Sequence, residues 1–119
     1  NYPHQYLSLL SSCKDLKSLL QIHGRLIVSG FKQDNFTTTH LINSYSLFQK
    51  CDLARFVFDS TPKPSVIVWN SMIRAYTRSN KHKEALKIFH YMSEKSLEPD
   101  KHSFTFVLKA CTGISDLQE

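Results

Sequence analysis

The sequence is poor in the residues that mark several protein classes. It has three glycines and four prolines in 119 residues, which suits helices better than turn-rich folds. An odd number of cysteines, Cys13, Cys51 and Cys111, far apart and without close pairs, favours reduced thiols over a disulfide framework or a metal site. No apolar run approaches the length of a membrane span. There is no glycine-rich phosphate loop and no nucleophile motif, so the sequence predicts neither an enzyme nor a cofactor.

The ends and the charge of the chain give two further expectations. Because the sequence lacks a leading methionine, an apolar signal and an Arg/Ser-rich leader, we expect a fragment whose targeting segment is missing. Lysine and arginine outnumber aspartate and glutamate by 15 to 10, giving a formal charge of +5. That excess favours an anionic partner, although a basic protein without such a partner remains the alternative.

The stretch from Val66 to Asp100 predicts a helical hairpin. Two apolar stripes recur at helical spacing, the first at Trp69, Met72, Ile73 and Tyr76 and the second at Ala85, Ile88, Phe89 and Met92. A short polar break, Ser79-Asn80-Lys81, separates the stripes, and Pro99 prevents the second helix from continuing. One hairpin cannot bury both stripes alone, so neighbouring hairpins are expected.

The chain repeats this pattern. Shifted by 31 positions, Tyr45 aligns with Tyr76 and Ala54 with Ala85. We therefore predict an all-α chain of four stacked units, at residues 1–34, 35–65, 66–100 and 101–119. Asn35 and Asp52 are expected to cap helices, Gly30 and Gly113 to end them, and Lys81-His82-Lys83 to form an exposed basic edge.

Three sets of residues resemble the pentatricopeptide repeat (PPR) family. The third unit carries Trp69-Asn70, Glu84-Ala85-Leu86 and Pro99-Asp100, as in the ordinary (P-type) repeat. The second unit looks like the short (S-type) variant. The first, which is degenerate, and the truncated fourth look like the long (L-type) variant through Cys13 and Cys111 and the residues around them. This order is similar to the plant PLS class. The resemblance implies a right-handed α-solenoid of antiparallel helix–turn–helix repeats.

The family also implies single-stranded RNA binding in a mitochondrion or chloroplast, one base per repeat. By the family rule, the fifth and last residues of a repeat read the base, and the second residue packs against it. The implied RNA-binding residues are Asn70, Asp100 and Ile67 in the third unit, Thr39, Ser65 and Phe36 in the second, and Thr105 and His102 in the fourth. In the first unit, where the repeat is counted from residue 3, the fifth position is Leu7, whose side chain cannot form a hydrogen bond, so no base reading is expected there.

The chemistry of the third unit is compatible with this role. An amide and a carboxylate match a pyrimidine Watson–Crick edge, and the family pairing of Asn70 with Asp100 favours uracil. Ile67 and His102 would then sandwich the base. The alternative is that Asn70 is simply solvated and that Asp34, Ser65 and Asp100 are ordinary helix caps.

The leading functional hypothesis is RNA recognition within an organellar editing factor that specifies C-to-U sites. The zinc deaminase signature of such factors is absent, so this segment would supply recognition without catalysis. The alternatives are a splicing, stability or translation factor for organellar transcripts, or a protein-binding helical scaffold. The implied partners are single-stranded RNA and other organellar RNA-processing proteins, with neither a membrane nor a small-molecule substrate.

Overall fold

The computed structural model describes residues 8–30 and 34–118, with side chains described as far as residue 113. This part of the chain is helical, which confirms the all-α class. A single helical turn covers residues 8–11. Six helices follow: α1 (Leu16–Val28), α2 (Asn35–Leu47), α3 (Cys51–Asp59), α4 (Val66–Arg78), α5 (His82–Glu94) and α6 (Lys101–Gln118).

The helices pack as a solenoid. Helices α2 and α3 form one antiparallel hairpin, and α4 and α5 form the next. The first helices of successive units, α2, α4 and α6, contact one another side by side. Among the six described helices, α3 and α5 each contact only the helices before and after them in the chain. The row α2–α4–α6 is therefore continuous, and polar side chains from successive units can share one surface on it.

The two hairpins turn in the same way, as expected of a repeat. Gln49 and Asn80, 31 positions apart, both have a left-handed backbone with φ of 60°. The next residue in each turn donates its N–H to a carbonyl five residues earlier, Lys50 to Tyr45 and Lys81 to Tyr76, both at 2.8 Å. These bonds satisfy the last carbonyls of α2 and α4 and reverse the chain. The tight turn predicted at residues 79–81 is confirmed.

The predicted apolar stripes form the core. The four stripe residues of α4 are buried, as are Ala85, Ile88 and Met92 of α5, while Phe89 is half-buried. His23 of α1 is also buried, with its Nδ1 2.7 Å from the hydroxyl of Tyr45. Gly30 follows α1 with φ of 72°, which confirms the predicted helix end.

The helix caps expected at Asn35 and Asp52 are wrong, whereas the cap considered as an alternative at Asp34 is confirmed. Asp34, not Asn35, caps α2, because its carboxylate accepts the N–H of Thr37 at 2.6 Å, and Asn35 is already the first helical residue. Asp52 lies inside the first turn of α3, whose N-cap is Lys50. In each case the chain enters the helix one or two residues earlier than the prediction.

Gly113 does not end a helix, since α6 continues through it to Gln118. A Cβ atom at Gly113 would collide with the ring of His82, so this glycine allows α6 to pack closely against the start of α5. His82 is accordingly buried, and only the lysines of the predicted basic edge are exposed. In the first unit, the helical turn ends at Ser11, and Leu7 lies outside the described residues.

Candidate nucleic-acid interface

An open groove of about 420 Å³ crosses the row of first helices. Helices α2, α4 and α6 and the residue before α6 all contribute to its wall. The lining residues are Thr39, Asn43, Ile67, Asn70, Ser71, Arg74, Asp100, His102 and Phe106. Five of the eight residues proposed from the sequence, Thr39, Ile67, Asn70, Asp100 and His102, thus lie in one groove despite their separation along the chain.

Asn70 and Asp100 are in direct contact. The Nδ2 of Asn70 donates to Oδ1 of Asp100 at 2.9 Å. Asn70 is buried in the wall of the groove by the neighbouring helices, whereas Asp100 is half-buried at the junction between the third and fourth units. The two side chains therefore point toward each other across the start of α6, not to opposite surfaces.

Asp100 also serves as the N-terminal cap of α6. Its Oδ1 accepts the backbone N–H groups of His102 at 2.9 Å and Ser103 at 3.0 Å. Desolvation alone would raise the pKa of this carboxyl, but the hydrogen bonds from Ser103, Asn70 and His102 outweigh it and lower the pKa. Asp100 is therefore an ionised acceptor at neutral pH. All these contacts fall on Oδ1, and no described residue donates to Oδ2.

The residues that the family rule places against the faces of a base are exposed to solvent. Ile67 is 63% exposed although it is aliphatic, and it lines the groove together with the exposed His102 of the next unit. Phe36, the equivalent residue of the second unit, is 64% exposed, with its ring 5.5 Å from that of His40. Exposed apolar side chains at equivalent positions of successive units form a surface against which flat groups can pack.

The second unit does not reproduce the pair of the third. Thr39 donates to the carbonyl of Asn35 within its own helix at 2.7 Å, and no hydrogen bond joins it to Ser65 among the described residues. Ser65 donates its backbone N–H to Oδ1 of Asn35 at 3.0 Å, and its hydroxyl is buried without a hydrogen-bond partner in the described part of the chain.

In the fourth unit, Thr105 is exposed on α6 and donates to the carbonyl of Lys101 at 2.9 Å. It lies outside the residues that line the groove. The hydroxyl is thus occupied within its own helix, in the same way as that of Thr39.

Sequence reasoning missed the basic side chains beside this groove. Arg74 follows Asn70 by one helical turn and Arg78 follows Arg74 by another, so the three share a face of α4. Arg74, Arg78 and Lys109 line a second cleft, of about 300 Å³, that adjoins the groove at Arg74 and Phe106. The sequence signal that could have revealed them is the four-residue spacing of Asn70, Arg74 and Arg78 on one helix. Burial lowers the pKa of Arg74, with a smaller contribution from Arg78 nearby, and its Nε has no partner among the described residues.

The described residues offer neither a metal site nor a membrane span. No group of three or more histidine, cysteine or acidic side chains is placed to hold a metal ion there. None of the described helices combines the length and the hydropathy that crossing a bilayer requires.

Residues 64–113 match the model of the PPR repeat family. The chain is 55% identical over 120 residues to pentatricopeptide repeat-containing protein At2g39620 of Arabidopsis thaliana. This match covers 100% of the chain and 14% of the relative. Over 109 residues the chain is 38% identical to pentatricopeptide repeat-containing protein CRR2, chloroplastic, from the same species, matching 89% of the chain and 17% of the relative. The chain thus spans about one seventh to one sixth of the length of these relatives.

A solved structure has a similar fold. The crystal structure of the pentatricopeptide repeat protein PPR10 in complex with an 18-nt psaJ RNA element superposes with a TM-score of 0.77. The match covers 98% of this chain and 19% of that one at 15% sequence identity, so it compares the arrangement of the helices and not the individual side chains. It confirms the stacked helical repeats derived above.

Proposed function

Since the chain is a pentatricopeptide repeat protein, we propose that the groove on its row of first helices binds single-stranded RNA and reads one base with Asn70 and Asp100. The observation that carries this proposal is the contact between these two side chains at the junction of two units. It places an N–H donor and an ionised acceptor side by side in an open groove. The RNA held by the structurally similar PPR10 supports the choice of ligand.

The donor and acceptor select among the bases by their edges. Uracil and guanine present a ring N–H beside a carbonyl oxygen, so each can donate to Asp100 and accept from Asn70. Cytosine and adenine present an unprotonated ring nitrogen, whose lone pair would face the carboxylate of Asp100. The family pairing of asparagine with aspartate then favours uracil over guanine. Ile67 and His102 pack against the two faces of the bound base.

The neighbouring cleft supplies the charge. Arg74, Arg78 and Lys109 line the cleft that adjoins the groove, and we expect a strand that continues out of the groove to bring its phosphates there. Lys83, by contrast, is exposed on α5 and lines neither the groove nor the cleft. Phosphate binding is therefore assigned to the first helices, which share one continuous surface.

The second unit would contribute less specificity. Thr39 and Ser65 are not joined as Asn70 and Asp100 are, so they present no preformed donor–acceptor pair, and Phe36 adds stacking surface without base preference. Thr105 lies outside the groove lining and its hydroxyl is bonded within α6, so it too presents no preformed donor–acceptor pair.

We further propose that the four units follow the long, short, ordinary, long order of the PLS class, and that the segment addresses an editing factor to C-to-U sites in a mitochondrion or chloroplast. Relatives named chloroplastic and mitochondrial support the organelles. A splicing, stability or translation factor would use the same recognition. The alternative function is a protein-binding scaffold, which predicts that the groove does not bind RNA.

The test is a titration of the chain against short oligoadenylates that carry U, C, G or A at one central position, at low and moderate salt. We expect weak binding that is tightest for U. Asp100→Asn keeps the cap of α6, because asparagine caps helices as well as aspartate does. It replaces the carboxylate with an amide that can also donate, so the preference for U over C should fall by roughly tenfold.

A pair of charge variants separates base reading from phosphate binding. Arg78→Ala should weaken all four oligomers by one factor and reduce the slope of log affinity against log salt by about 0.7. Lys83→Ala removes the same charge outside the groove and should change binding little. Equal affinity for all four bases would refute base reading, and no binding at either salt would favour the scaffold.

A further inference from the structure

Ser103, in the first turn of α6, is fully buried between the two base-reading residues. Its hydroxyl oxygen accepts the backbone N–H of Asp100 at 3.0 Å. The same oxygen lies 2.5 Å from Oδ1 of Asn70 and 3.2 Å from Oδ1 of Asp100. The shorter contact identifies the amide oxygen of Asn70 as the acceptor of the hydroxyl proton, since a hydroxyl has a single proton to donate.

These contacts determine which way the amide of Asn70 faces. An ionised carboxylate can only accept hydrogen bonds, so the atom of Asn70 that contacts Asp100 must be the NH₂ group. The amide oxygen is then directed to Ser103, which donates to it. Reversing the amide would place an oxygen against the carboxylate of Asp100, and that hydrogen bond would be replaced by a repulsion between two acceptors.

We propose that Ser103 is a positioning residue that sets the base preference of the preceding unit. By occupying the oxygen of Asn70, it leaves the second N–H of Nδ2 as the polar group that the amide offers to a ligand. Beside it stands Oδ2 of Asp100, to which no described residue donates. The ligand that fits is a nucleobase with a carbonyl oxygen next to a ring N–H. This proposal rests on the proposed function, and it identifies the Ser103 hydroxyl as the group that fixes the orientation of the Asn70 amide.

Equivalent positions in the chain show that the helix start does not require this contact. Thr37, also the third residue of its unit, is buried beside the cap residue Asp34, and its hydroxyl has no hydrogen-bond partner among the described residues. Val68 occupies the place in the third unit and has no hydroxyl. Within the part of the chain that the structure describes, only Ser103 links this position to a reading side chain of the preceding unit.

The experiment compares Ser103→Ala, Ser103→Thr and Thr37→Ala in the full 119-residue chain. The probes are two oligoadenylates that differ only by U or C at the central position. Ser103→Ala frees the oxygen of Asn70 to accept from the amino group of cytosine, so the U-to-C affinity ratio should fall about fivefold or more. Ser103→Thr keeps the hydroxyl at a position whose counterpart holds threonine, and it should restore the ratio.

Thr37→Ala is the matched control, since it removes a buried hydroxyl from the equivalent place without touching Asn70. It should leave the U-to-C ratio unchanged. A Ser103→Ala chain that loses the same factor of affinity for U and C would show that Ser103 acts only as part of the helix cap. An unchanged ratio in Ser103→Ala, with the parent chain discriminating normally, would also overturn the proposal.

A measurement without RNA tests the positioning separately. The side-chain NH₂ signals of Asn70, followed by ¹⁵N NMR, should shift and broaden in Ser103→Ala and stay as in the parent in Thr37→Ala. Signals in Ser103→Ala identical to those of the parent chain would refute the positioning role. If the parent chain fails to discriminate among the bases, the proposed function is refuted, and these amide signals still decide whether Ser103 holds Asn70.

Discussion

The hydrogen bond between Tyr45 and His23 gives a sharp test of how the first unit is attached to the second. Tyr45 on α2 is fully buried, and its hydroxyl lies 2.7 Å from Nδ1 of His23 on α1. The two rings also pack edge to face, with centroids 5.6 Å apart. Tyr45→Phe removes one oxygen and keeps the ring, so the substitution isolates the hydrogen bond from the packing.

The expected loss follows from what remains behind. Nδ1 of His23 would lose its partner in a buried place, and an unsatisfied buried polar group costs about 1–3 kcal/mol. The free energy of unfolding of Tyr45→Phe should fall by about that amount. For a chain of this size, Tm falls by roughly 3–6 °C for each kcal/mol lost. Chemical denaturation followed by far-ultraviolet circular dichroism measures the first quantity, and a thermal melt measures the second.

The chain contains its own control. Tyr76 is the equivalent residue 31 positions later, and its hydroxyl accepts from Nη1 of Arg55 at 3.0 Å. Arg55 is also bonded to Asp59 at 2.9 Å and is partly exposed, so water can replace the tyrosine. Tyr76→Phe should therefore cost less than about 1 kcal/mol.

Equal losses in Tyr45→Phe and Tyr76→Phe would refute the reasoning, because the difference rests only on the burial of the partner. A second result checks the cause. In a His23→Leu background, Tyr45→Phe should cost little, since both polar partners are then replaced by apolar groups.

Three further predictions concern stability. Burial lowers the pKa of His23 from its usual 6.5, so the unfolded chain binds more protons than the folded chain at acid pH. The free energy of unfolding should therefore decrease as pH falls below about 6.5. Urea titrations at pH 7.5 and 5.5 should show a smaller decrease in His23→Gln than in the parent chain. Leu41→Ala, at a fully buried site, should cost about 2–5 kcal/mol, whereas Leu47→Ala, at a 69% exposed site of the same helix, should stay within about 0.5 kcal/mol. Gly24→Ala should raise Tm through a gain in helix propensity of about 1 kcal/mol, because nothing lies within 4 Å of a Cβ added there. Gly113→Ala should not raise Tm, because a Cβ added there meets a side chain of α5.

The sequence by itself determined the helical class and the repeat. Apolar residues at helical spacing, such as Trp69 and Ile73, allow a helix only one buried face, and the recurrence of that face after 31 residues requires stacking. The turn at Asn80 was also predictable, since asparagine tolerates the left-handed backbone that a tight reversal needs. Helices and tight turns depend on residues close to one another in the sequence, so sequence patterns predict them directly.

Helix boundaries depended on finer local competition. Asp34 and Asn35 are both good caps, and the choice of Asp34 follows from which side chain reaches the N–H of Thr37, a matter of backbone direction that composition does not reveal. Gly113 was misinterpreted because glycine ends helices and also allows close packing, and only the position of His82 distinguishes the two roles.

The polar network of the groove was decided by tertiary structure alone. The order of the repeats suggested that Asn70 and Asp100 act together, but not that Ser103, three residues into the next unit, would bond to both. A side chain's hydrogen-bond partners depend on ångström-scale distances between helices that are adjacent in space and some thirty residues apart in sequence. Periodicity specifies which face of each helix is buried, and only the packing of α4 against α6 decides which atoms on those faces meet.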